Sequence, residues 1–176
     1  MLHRIGRRPA DEIEGPVQAL LACHQRIRSF TALAQRLIST TSASSGEVTE
    51  AATQLERYFG IALPLHVADE EASIRPRLLA IDPSLERALA AMTEEHETIE
   101  LGLGRLVPLW ACLVRTPDAL ERERSALEGD TSRLRDVFGD HLASEESRIF
   151  PAIDRLPPDE RAAILQEMQA RRAPPR

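Results

Sequence analysis

An eleven-residue segment occurs once in each half of this chain, and it restricts the fold more than any other feature. His66-Val-Ala-Asp-Glu-Glu-Ala-Ser-Ile-Arg-Pro76 aligns without gaps to His141-Leu-Ala-Ser-Glu-Glu-Ser-Arg-Ile-Phe-Pro151, with His, Ala, both Glu, Ile and Pro identical. In each copy a glutamate, Glu70 or Glu145, follows the histidine by four residues. Residues four apart share one face of a helix. Two helices should therefore present the same imidazole and carboxylate, one in each half of the chain.

The rest of the sequence supplies the helices such a device needs. Aromatic residues make up 3% of the chain, while Ala, Leu, Glu and Arg are abundant, a mixture that favours helix over strand. Four long apolar periodicities are separated by short turns rich in helix breakers. The first begins near Pro16 and buries Val17, Leu20, Leu21, Ile27, Phe30, Leu33 and Leu37. A Ser/Thr/Gly loop, Ser39 to Gly46, ends it. The second runs from about Glu47 to Ala80 with a kink expected at Pro64. The third opens at Asp82-Pro83 and continues to Arg115, weakened by Gly102, Gly104 and Pro108. The fourth starts at Thr116-Pro117-Asp118 and reaches about Phe150, with Pro151 expected to end or kink it. Pro157-Pro158-Asp159 begins a short amphipathic helix to Arg172.

Short loops make successive helices antiparallel neighbours. The expected fold is all-α: an up-down-up-down antiparallel four-helix bundle with a short C-terminal fifth helix. Its divisions are a basic N-terminal tail (1–12), the bundle (13–155), and the last helix with its tail (156–176).

Charge and cysteine usage narrow the function classes. A net charge of −6 gives a nucleic-acid partner no electrostatic support, and the arginines at the two ends read as solvated tails. Cys23 and Cys112 lack metal-binding or CxxC spacing and are expected to be reduced, mostly buried thiols. No apolar stretch follows the basic start, and no run approaches the ~20 residues of a membrane span. The expectation is a soluble cytoplasmic protein without a membrane partner.

Four of the five histidines fall one to each long helix: His24, His66, His96 and His141. Counting residues from the turns, at ~1.5 Å of rise each, places them within roughly one helical turn of a common level. Glu70 and Glu145 join them there. Six such donors would crowd a single zinc, whose closed sites use about four. Imidazole with carboxylate suits iron, and carboxylates can bridge two ions. Glu occupies 19 of 176 positions, so one HxxxE spacing alone means little. Two inside a repeat, with two more histidines at matching depth, mean a great deal. Burying all six with no cation would be costly.

Other polar residues read as bystanders. Glu100, one turn beyond His96, is expected on the solvated side of its helix. Tyr58 is expected in the core, and His3 in the N-terminal tail. Glu71 and Glu146, turned ~100° from their neighbours, should be outer or surface groups. Leu20, Leu21, Ile27, Ile99 and Phe138 are expected to wall the site, while Trp110, ~21 Å along its helix from His96, lies too far away to take part.

The ordered set His24, His66-x-x-x-Glu70, His96 and His141-x-x-x-Glu145 resembles the hemerythrin-like (HHE cation-binding) family over about residues 13 to 155. The resemblance implies a non-haem di-iron centre, oxo- or hydroxo-bridged, with Glu70 and Glu145 as bridging ligands and two histidines on each iron. Oxygen-carrying hemerythrins resemble HxxxH on the third helix and carry an aspartate after the last histidine. This chain has His96-x-x-x-Glu100 and Glu145 there, a more anionic set that favours ferric iron over reversible oxygen carriage. Family likeness then points to binding, sensing or handling of oxygen, nitric oxide or iron. The alternatives are an enzyme acting on peroxide or in iron-sulfur cluster repair, and a metal-free helical interaction module. A ferritin-like centre is excluded, because it needs Glu-x-x-His pairs and no histidine here has Glu three residues before it.

Overall fold

Each proline inside a repeat copy creates the same local problem, and the fold answers it the same way twice. Proline removes an N–H and crowds the carbonyl four residues earlier. A computed structural model, which describes residues 15–174, opens the helix into a π turn just before Pro76 and just before Pro151. The π turns span Asp69–Ile74 and Glu145–Ile149. Each proline then takes the second position of the α-helical segment that resumes, Arg75–Ile81 and Phe150–Ile153. A third π turn, Tyr58–Ala62, absorbs Pro64 likewise. These helices therefore continue through their prolines.

The elements are as follows. Helix α1 is Pro16–Ser39, with proline in its first turn. Helix α2 covers residues 45–81 as five consecutive α and π segments. Helix α3 covers residues 83–115, a 3₁₀ turn followed by Glu86–Arg115 without interruption at Pro108. Helix α4 covers residues 117–153, again opening with a 3₁₀ turn. Helix α5 is Pro158–Arg172. Among the described residues there is no strand, and no helix is long and apolar enough to cross a membrane. The expected basic tail, with His3, lies outside the described residues.

Helix α2 starts at Ser45, two residues ahead of the expected Glu47, because Ser44 forms a capping box. Its hydroxyl accepts from the Glu47 N–H while the Glu47 carboxylate accepts from the Ser44 N–H at 2.9 Å. Ser44→Ala should lower stability by about 1 kcal/mol without altering the site; a chemical denaturation midpoint equal to wild type would contradict this.

Helices α1 and α3 each pack against both α2 and α4, and the core between them is split. One apolar cluster holds Ile27, Leu63, Ile99 and Phe138 together with Trp110, which lies 5.3 Å from the Phe59 ring. The other holds Leu20, Ile74, Met92 and Ile149, closed by Ile164 and Met168 of α5. The boundary between the clusters falls at the histidine on three long helices, between Leu20 and Ile27, Leu63 and Ile74, and Met92 and Ile99, and at Glu145 on α4, between Leu142 and Ile149. A polar layer crosses the bundle where an apolar core would otherwise be continuous.

Candidate metal centre

All six donors expected from the sequence lie in that layer and are buried. Their relative exposures are 0% for His24, 2% for His66 and His141, 5% for His96, and 1% for Glu70 and Glu145. The π turns hold the two glutamates. The main-chain carbonyl of Glu70 accepts from the Arg75 N–H, and that of Glu145 from the Phe150 N–H, each five residues on. The repeated segment is thus a repeated geometry.

The donors form two groups of four that share both carboxylates. His24, His66, Glu70 and Glu145 make one, and His96, His141, Glu70 and Glu145 the other; in each, one donor atom per residue lies within 4.8 Å of the rest. The Nε2 atoms face the carboxylates, at 3.3 Å from His66 to Glu70 Oε1 and 3.3 Å from His96 to Glu70 Oε2. From His24 and His141 to Glu145 Oε2 the distances are 3.2 and 3.4 Å. Two donors each ~2.1 Å from one ion and adjacent in its shell would lie about 3.0–3.4 Å apart. The spacing therefore suits metal coordination.

Hydrogen bonding makes the same point. Both oxygens of Glu70 and of Glu145, and Nε2 of His24, His66 and His96, are buried without a hydrogen-bond partner. A dry interior penalises each such atom. Seven of them aimed at a common centre are what a pair of cations would satisfy.

The imidazoles are oriented from behind. Nδ1 of His24 contacts Glu146 at 2.8 Å, Nδ1 of His96 contacts Glu71 at 2.9 Å, and Nδ1 of His141 contacts Glu95 at 2.8 Å. A carboxylate there receives the Nδ1 proton and, once Nε2 gives up its own proton, leaves the Nε2 lone pair pointing inward, as metal-binding histidines require. Glu146 also accepts from Arg28 at 2.9 Å. His66 has no such partner on Nδ1. Glu71 and Glu146 thus have the outer position expected of them. Glu95 is an addition: it precedes His96 in the chain yet serves His141 on the next helix. Glu71→Ala, Glu95→Ala and Glu146→Ala should each weaken metal affinity about 10–100-fold in chelator competition. Glu100→Ala should leave it unchanged, since Glu100 is exposed.

The charges of the layer pull its titrating groups in opposite directions. Burial pushes the His24 and His96 imidazoliums down, but the glutamates beside them more than compensate and hold both up at about 9. Burial and the Glu70 charge lift Glu145 to about 8. Glu70 lies well below the usual carboxylate range, because the imidazoles around it outweigh the effect of its burial. Burial lowers His66 to about 4 and also lowers His141. Without metal, protons on His24, His96 and Glu145 would stand in for its charge.

Of the residues expected to wall the site, one is not buried. Leu20, Ile27, Ile99 and Phe138 are buried, but Leu21 is 39% exposed; it follows Leu20 directly and turns ~100° away. An aromatic neighbour not expected from the sequence is Phe150, whose ring centroid lies 4.9 Å from that of His24. Tyr58 is a core residue stacked on Phe30 at 4.0 Å, its hydroxyl donating to the Cys23 carbonyl at 3.5 Å.

A helical bundle crossed by a buried layer of four imidazoles and two shared carboxylates defines a class of cation-binding proteins. Residues 15–153 match the hemerythrin HHE cation-binding domain, and the chain belongs to that family. An uncharacterized protein of Haemophilus influenzae is 24% identical over 163 residues, spanning 89% of this chain and 90% of that protein.

Proposed function

We propose that this protein holds two iron ions between its four long helices and uses them to bind, sense or handle oxygen, nitric oxide or iron. The observation that carries the reading is the pair of buried donor groups sharing Glu70 and Glu145. Two groups imply two ions, and carboxylates common to both are suited to bridging them. Four protein donors per ion would complete a tetrahedral zinc site, but they leave room on a six-coordinate ion such as iron. His24 and His66 would hold one ion, His96 and His141 the other.

When bound, the iron pair supplies redox chemistry and open positions for a small ligand. The chain's own part is to orient and to exclude. Glu71, Glu95 and Glu146 fix three imidazoles, and the apolar clusters on either side of the layer keep bulk water out. Dioxygen and nitric oxide are small and weakly polar, which suits passage between such walls.

Elemental analysis with a visible spectrum of protein reconstituted with ferrous iron in air tests this. About two irons per chain and charge-transfer bands that bleach with dithionite are expected; no metal uptake would overturn the proposal. Peroxide consumption by loaded protein, compared with His141→Ala, separates a binding protein from an enzyme. Equal rates would leave binding or sensing as the role.

A further inference from the structure

The two copies of the repeat differ at the positions that face α5. In α2, Asp69 and Ser73 are both fully buried at 0% exposure. Their counterparts in α4 are Ser144, half-buried, and Arg148, exposed. Asp69 is held by the last turn of α5: Arg171 donates to its Oδ1 at 2.8 Å and Arg172 to its Oδ2 at 2.6 Å. Arg171 also donates to the Ser73 hydroxyl at 2.7 Å, and Arg172 is itself braced on the Met168 carbonyl at 2.7 Å. Among the described residues, nothing comparable grips Ser144.

Asp69 and Glu70 are consecutive residues of one π turn. Consecutive helical residues point roughly 100° apart, so this turn offers one carboxylate to α5 and the next to the bundle interior. A π turn departs from the regular ladder and depends on its surroundings to persist. We propose that Asp69 is a positioning residue through which Arg171 and Arg172 set the placement of Glu70, so that α5 governs how firmly the centre retains its metal. The proposal rests on the metal reading above and adds to it a control point outside the donor layer. The carboxylate beside Glu145, that of Glu146, is held by Arg28 of α1, so Glu70 is the donor that the C-terminal helix controls. An isolated buried carboxylate is strongly disfavoured; once the arginines go, Asp69 must move toward water and draw the turn with it.

The full-length chain is compared with Arg171→Ala/Arg172→Ala, with Arg171→Lys/Arg172→Lys, and with Glu160→Ala. The last removes only the 2.7 Å Glu160–Arg77 pair at the other end of α5. Two measurements are made: amide hydrogen exchange of residues 69–75 in metal-free protein, and the rate at which iron-loaded protein yields iron to a chelator, followed by its visible absorbance. The double alanine variant should exchange faster over 69–75 and lose iron about 10–100-fold faster, the range for loss of groups that orient ligands. Its circular dichroism should stay helical. The lysine pair should recover much of the wild-type behaviour, and Glu160→Ala should match wild type. Exchange over 69–75 unchanged in the double alanine variant overturns the proposal with or without metal. So does faster exchange with wild-type iron release, or equal effects from Glu160→Ala. A wild-type chain that takes up no iron would instead refute the metal reading, and this inference with it.

Discussion

Glu70→Ala should deprive the protein of both metal ions, while His66→Ala or His141→Ala should each remove about one. The difference follows from membership in the two donor groups. Glu70 belongs to both, with Oε1 3.3 Å from His66 Nε2 and Oε2 3.3 Å from His96 Nε2. Each histidine belongs to one. Loss of an outer partner already costs about 10–100-fold in affinity, and loss of a shared direct donor should cost more at both positions. Inductively coupled plasma mass spectrometry on reconstituted, desalted protein would give the count. Two ions retained by Glu70→Ala would show that the carboxylate is not shared, and the paired arrangement would be wrong.

The second large effect is an opposite response to pH in metal-free and metal-loaded protein. In the folded metal-free chain His24 and His96 hold their protons up to about 9, against ~6.5 in an unfolded chain. Their stabilisation is complete below pH 6.5 and disappears as pH rises to about 9. Glu145 is raised to about 8, so its ionisation is disfavoured in the fold and stability falls as pH climbs from ~4.5 to about 8. All three act in the same direction across the neutral range. On the acid side, His66 is lowered to about 4 and Glu70 is lowered too, so both withdraw stability as pH falls below their unfolded values. Stability of the metal-free protein should peak near ~pH 6 and drop by several kcal/mol, on the order of a few pKa units' worth, by pH 9.

Metal reverses the trend. Ligands must shed protons to coordinate, and at pH 7 His24, His96 and Glu145 still hold theirs. Loading at neutral pH should therefore release about three protons per chain, fewer as the pH approaches 9. The loaded protein should gain melting temperature between pH 6.5 and 9 while the chelator-treated protein loses it. Calorimetry of both forms across that range gives the answer, and a melting temperature of metal-free protein that climbs with pH would refute the account.

These effects trace to features of very different visibility in the chain. Helices, the loops between them and the six donors follow from periods of three and four residues, from prolines, and from an eleven-residue repeat. All are local patterns, written along one strand of sequence. The shared depth of the four histidines was also open to counting, because rise per residue is nearly constant and the connections are short. The short fifth helix was legible too, from Pro157-Pro158-Asp159 and the amphipathic pattern after it.

Tertiary structure alone decided the pairings. Glu95 adjoins His96 yet orients His141, a partner 46 residues away, and Asp69 finds its cations 102 and 103 residues on. Leu20 and Leu21 are equally apolar, but only packing shows that the first enters the core and the second faces outward. The response to proline in three places, a π turn and not a break, was likewise set by the surrounding helices. Periodicity states which face of a helix is buried. Which charge on another helix meets that face depends on rotations about each axis, and those are determined only when all five helices pack at once.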